Sequence, residues 1–154
     1  MAKVHAVPLP QDSRILKGFG EAHYQDAYAR LLPAGHFPDA RAAARAVFRG
    51  AAWMDALMAL RDLLVRPFGL RPGAGPKGRE LPFTVLHEDA REVVMGEADS
   101  HLVFRASVHL EEGPEGQRLT VATLVHFHNR LGRMYFVPVK PFHRRIVMSS
   151  LRRA

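Results

Sequence analysis

The fold turns on two long segments, His101-Leu102-Val103-Phe104-Arg105-Ala106-Ser107-Val108-His109-Leu110-Glu111 and Gln117-Arg118-Leu119-Thr120-Val121-Ala122-Thr123-Leu124-Val125-His126-Phe127-His128. Gly113-Pro114-Glu115-Gly116 stands between them, a turn-forming cluster that joins two alternating strands into a hairpin. Pairing Glu112 with Gln117 sets the register. Leu110 then lies opposite Leu119, Val108 opposite Val121, Ala106 opposite Thr123, Phe104 opposite Val125 and Leu102 opposite Phe127, all on one face. That face is the expected core. The other receives His101, Arg105, Ser107 and His109 from one strand and Thr120, His126 and His128 from its partner, a water-facing pattern.

Downstream the apolar strand runs into Asn129, a good helix N-cap residue. Leu131, Tyr135, Pro138, Val139, Phe142 and Ile146 then fall on one helical arc. Arg130, Arg133, Lys140, Arg144, Arg145 and Arg152 fall on the opposite arc. A long terminal helix is expected, with a kink or break where Pro138 and Pro141 each remove an N–H.

Upstream, residues 1–23 carry little pattern, and most of them read as coil. Tyr24 to Leu32 alternates as a first strand, which Pro33-Ala34-Gly35 ends. Pro38-Asp39 caps an alanine-rich helix from Ala40 to Arg49, with Gly50 as its stop. A second helix to about Arg66 carries Trp53, Leu57, Leu60 and Leu64 on one stripe. After a breaker-rich loop, Phe83 to His87 and Glu92 to Ala98 form a hairpin around Glu88-Asp89-Ala90-Arg91. The class is therefore α+β: an antiparallel sheet of five or six strands wrapped on a long C-terminal helix, with two short helices after the first strand. At 154 residues, one domain over 1–154 is expected.

Three phrases resemble a known family: His101-Leu102-Val103-Phe104-Arg105, Phe127-His128-Asn129-Arg130-Leu131-Gly132-Arg133-Met134-Tyr135 and Lys140-Pro141-Phe142-His143-Arg144. They are similar to those of the bacterial domain of unknown function 2867 family, from about Tyr24 onward. That resemblance implies a helix-grip fold like that of START and pollen-allergen proteins, and similar domains are appended to some short-chain-dehydrogenase-like proteins. It implies no known activity and carries over no catalytic residue.

In such a grip the working space lies between sheet and terminal helix. The small pair Ala106 and Thr123 would leave room there, walled by Phe104, Val121, Val125 and Phe142, with the hydroxyls of Thr123 and Tyr135 to orient a ligand. A small hydrophobic molecule is the expected partner. The same alternation also describes a filled core. An alternative is a small cyclase- or isomerase-like enzyme in the same space, pairing Tyr135 with a histidine. No Ser-His-Asp order, nucleophile elbow or carboxylate pair supports it.

The hydrophobic and charged fractions, 47% and 24%, are those of an ordinary globular protein. No signal peptide or transmembrane run is evident, so a cytoplasmic location is expected. The absence of cysteine excludes disulfides and thiolate chemistry. Gly73-Ala74-Gly75-Pro76-Lys77-Gly78 lacks the strand and helix that a phosphate loop needs, and no cofactor is expected. His101, His126 and His128 converge on one face as a weak metal candidate without a fourth ligand; solvated strand histidines look the same. Residues 129–154 hold seven basic and no acidic side chains, against 15 of each in residues 1–128. Arg130, Arg133, Lys140, Arg144 and Arg145 are thus either a solvated face or a contact for an anionic surface. Nucleic acid is disfavoured, because no aromatic residues interleave with the basic ones.

Overall fold

A computed structural model of the protein describes residues 4–48, 84–98, 102–127, 144, 145, 147, 148, 151 and 152. Six strands form one sheet: β1 (His5–Ala6), β2 (Tyr24–Leu32), β3 (Thr84–Glu88), β4 (Glu92–Ala98), β5 (Leu102–Gly113) and β6 (Gly116–Phe127). Their order is β1-β2-β6-β5-β4-β3, and each neighbouring pair is antiparallel. The β5–β6 hairpin has the register read from its sequence, from Leu102 opposite Phe127 through Ala106 opposite Thr123 to Glu112 opposite Gln117. Pro114-Glu115 forms the tip. Gly116 follows at φ 134, where a Cβ would lie 2.3 Å from the Leu32 carbonyl oxygen. Only glycine meets both demands.

One sheet face packs under helix α1 (Ala40–Phe48). Asp39 caps that helix through Oδ1, which accepts the Ala42 N–H at 2.8 Å. Ala40, Ala43, Ala44 and Val47 supply the buried stripe. They meet Tyr28, Leu32, Val93, Met95, Val108, Leu110, Leu119 and Val121, together with Val147 and Leu151 of the C-terminal segment. Three polar ties fix this layer. The Arg41 guanidinium grips both oxygens of Glu88. The buried Gln117 amide donates to the Phe37 carbonyl (2.9 Å) and accepts the Phe37 N–H (3.0 Å). Arg30 Nη1 donates to the Leu151 and Arg152 carbonyls at 2.9 and 2.7 Å.

The opposite face is also covered. Val7 continues the pairing of β1 by donating to the Ala27 carbonyl at 2.9 Å. The chain then crosses the sheet as a strap, residues 8–22, and returns to β2. Ile15 is fully buried there against Ala27, Val94, Ala122 and Leu124, with Leu9 and Phe19 packed beside them. The strap's backbone is held mainly by sheet side chains. Glu92, 2% exposed, accepts from the Ser13 hydroxyl, from the Arg14 N–H at 2.8 Å and from the Ser107 hydroxyl at 2.5 Å. Arg105 Nη1 donates to the Ile15 and Lys17 carbonyls at 3.0 and 2.6 Å and lies over the Phe19 ring. His109 Nε2 meets Asp12 at 3.0 Å.

These findings correct three expectations. The helix-grip architecture, with its sheet wrapped on a long C-terminal helix and two short helices after the first strand, is replaced by a sheet-dominated fold. Among the described residues the one continuous helix is α1; of the C-terminal stretch, residues 144, 145, 147, 148, 151 and 152 are described, and they are helical. A physical reason is at hand: a helix from Asn129 onward would meet Pro138 and Pro141, which cannot donate to the ladder. The segment where that helix was to begin, and the whole second helix, lie outside the described residues. Of the face read as water-facing, Ser107, His109 and Thr120 are buried: the Ser107 hydroxyl donates to Glu92 of β4, and Asp12 of the strap meets His109. Residues 1–23, read mostly as coil, build β1 and that cover.

The tight turn yields a direct test. Gly116→Ala should lower stability by about 1–3 kcal/mol, the usual scale of a backbone strain of this kind, when measured by urea unfolding. A neutral result would show that the hairpin tip relaxes freely.

Candidate ligand site on the sheet

Antiparallel partners share a face, so the register sorts the side chains into rungs. On the α1 side, one rung joins Tyr24, Val125 and Phe104. The next joins Asp26, Thr123, Ala106 and Met95, and a third joins Tyr28, Val121, Val108 and Val93. The third rung belongs to the apolar cluster under α1. The first two run on beyond it and mix chemistry across their width, since β2 contributes phenol and carboxylate while β5 and β6 contribute apolar and small side chains. Ala106 and Thr123 are 8% and 4% exposed, and Val125 is equally enclosed.

The Tyr24 hydroxyl donates to the Asp26 carboxylate. Burial is the main reason the Tyr24 phenol is pushed far up, and the hydrogen bond and charge of Asp26 add to it. Tyr28 is raised by burial first and then by the charge of Asp26. Arg144 opposes both shifts, so its positive charge acts on this side of the sheet. The result is a neutral phenol locked to a carboxylate beside an apolar floor. Such a pair can orient a polar group of a ligand.

Of the residues singled out in the sequence, Phe104, Ala106, Val121, Thr123 and Val125 stand together on this face. Val121 is part of the core cluster. Tyr135 and Phe142 lie outside the described residues, as do His101, His128, Arg130, Arg133 and Lys140. Arg144 and Arg145 are exposed and helical. His126 uses Nδ1 toward the Glu21 carbonyl at 2.8 Å and stacks on His23 at 4.5 Å. His23 Nδ1 accepts the Phe127 N–H at 2.9 Å, so in the neutral ring the proton sits on Nε2 and no lone pair is left there for a metal. Among the described residues no three of His, Asp and Glu are grouped to hold a metal ion.

Tyr24 and Asp26 were missed as site residues. Their signal was present: Tyr24, Asp26, Tyr28 and Arg30 alternate against Ala27, Ala29 and Leu31. Only the pairing of β2 with β6 reveals that the polar set faces the core side and the alanine set faces the strap.

Among the described residues, an antiparallel sheet of six strands with one short helix on one face and an N-terminal strap on the other defines the class, a mainly antiparallel β fold. The chain belongs to the family described as Protein of unknown function (DUF2867), whose model matches residues 19–150. No curated protein and no solved structure matches it. Among the described residues no helix is long and apolar enough to cross a membrane.

The raised phenols make a pH prediction. A tyrosine that ionises less readily when folded stabilises the fold fully below its unfolded value, roughly pH 10. That contribution is lost as pH rises through the higher folded value. Stability should therefore fall above about pH 10, and Tyr24→Phe should make that fall shallower in urea titrations. An unchanged alkaline limb would contradict the burial of this phenol.

Proposed function

We propose that the domain binds a small, mostly apolar ligand against the rungs of Phe104, Ala106, Thr123 and Val125, with Tyr24 and Asp26 addressing a polar group on it. The observation that carries this reading is the composition of the two outer rungs. A face given over to packing alone gains nothing from a half-buried phenol and carboxylate, whose partial desolvation is unfavourable, whereas binding sites combine apolar walls with few convergent polar groups. The small Ala106 and Thr123 side chains would leave room for such a ligand where bulkier residues would not. A carrier fits better than a cyclase or isomerase, because a phenol raised this far keeps its one proton on the Asp26 carboxylate and does not shuttle it near neutral pH.

Burial of apolar ligand surface releases roughly 25 cal/mol per Å², enough for a modest ligand to bind in the micromolar range once association entropy is subtracted. Ala106→Phe should then displace a hydrophobic fluorescent probe while costing no more than about 1–3 kcal/mol of stability. If the wild type binds no probe and the substitution unfolds the chain, the face is a filled core and this reading fails.

A further inference from the structure

We propose that the strap is a displaceable peptide ligand of its own sheet, and that the face beneath it accepts the same segment from a second copy of the chain. The segment Asp12-Ser13-Arg14-Ile15, which runs between two turns, is bound in the way a peptide is bound in trans. Its aliphatic side chain enters an apolar patch, its N–H and hydroxyl meet a carboxylate, and its downstream carbonyls meet a guanidinium. Across residues 8–22 these side chains of the sheet, and not a strand ladder, provide the hold. The polar part of that hold is bought by taking the Glu92 carboxylate and the Arg105 guanidinium out of water, so opening returns hydration to both. Release is therefore less costly than the number of contacts suggests.

The connection back to β2 is built to pivot. Gly18 and Gly20 sit at φ 69 and 83, with nothing within 4 Å of where a Cβ would be. Both are left-handed where the strap folds back on its own sheet, and glycine alone moves from that region to an extended one at little cost. Exchange of an identical element between copies reuses every contact of the closed form, which makes it an inexpensive route to a dimer.

The chain contains no cysteine, so single thiols report exchange cleanly. The Ser13 and Ser107 hydroxyls meet at one oxygen of Glu92. Ser13→Cys protein mixed with Ser107→Cys protein and oxidised should form a mixed disulfide dimer. It should exceed the dimer formed between Ser13→Cys and Glu115→Cys, a control thiol at the exposed hairpin tip. Gly18→Val, which strains the closed strap without touching its contacts, should raise the yield several-fold. A yield equal to the control overturns the proposal. Should Ser107→Cys fail to fold, the Gly18→Val chain refolded at high concentration should elute partly as a dimer, and a purely monomeric profile likewise overturns it.

Discussion

A slip of one residue between β5 and β6 would exchange the two faces of the sheet, and almost every contact depends on that slip not occurring. The turn at Pro114-Glu115 and the glycine that follows it pin the pairing, since Gly116 fits against the Leu32 carbonyl where no other residue would. From that register follows the separation of Phe104, Ala106, Val108 and Leu110 from Arg105, Ser107 and His109. β4 and β2 extend the same division outward, so α1 and the strap each meet a distinct surface.

The two surfaces are stabilised differently. Under α1 the contacts are apolar and contiguous, with alanines letting the helix approach closely. Under the strap a small apolar patch is ringed by buried ionisable groups, Glu92 and His109 with Arg105 partly enclosed; each is hydrogen-bonded to the strap, while Arg105 Nε and His109 Nδ1 are buried without a partner. Removing one member of such a set leaves the others buried and unpaired, which is costly. The helix side thus supplies most of the stability, and the strap side is the one suited to local opening.

Much of the hairpin was legible because two long alternating runs and one breaker cluster leave a single sensible register. The α1 cap at Asp39 was legible for a similar local reason. The fate of the second face was not, although Ala122 and Leu124 on β6 and Val94 on β4 already made it half apolar. Serine, threonine and histidine read as solvated in a strand unless a partner from far along the chain is known, and Glu92 reaches Ser13 and Arg14 across nearly eighty positions. For the terminal segment the helical wheel carried more weight than Pro138 and Pro141, although both prolines already pointed to a kink or break. In the candidate site, the β5 and β6 residues were recognisable from apolar alternation, whereas Tyr24 and Asp26 needed the pairing of β2 before their side of the sheet could be known.

The central claim is that the α1-side face receives a small ligand, while the strap-side face stays occupied by a strap, its own or that of a second copy. Methyl resonances separate the two, because Ala106, Thr123 and Val125 report on the first and Ile15, Val94 and Ala122 on the second. During titration of the full chain with a hydrophobic probe, the first set should shift progressively and the second should stay fixed. Shifts confined to the second set, or none in either, would contradict the account.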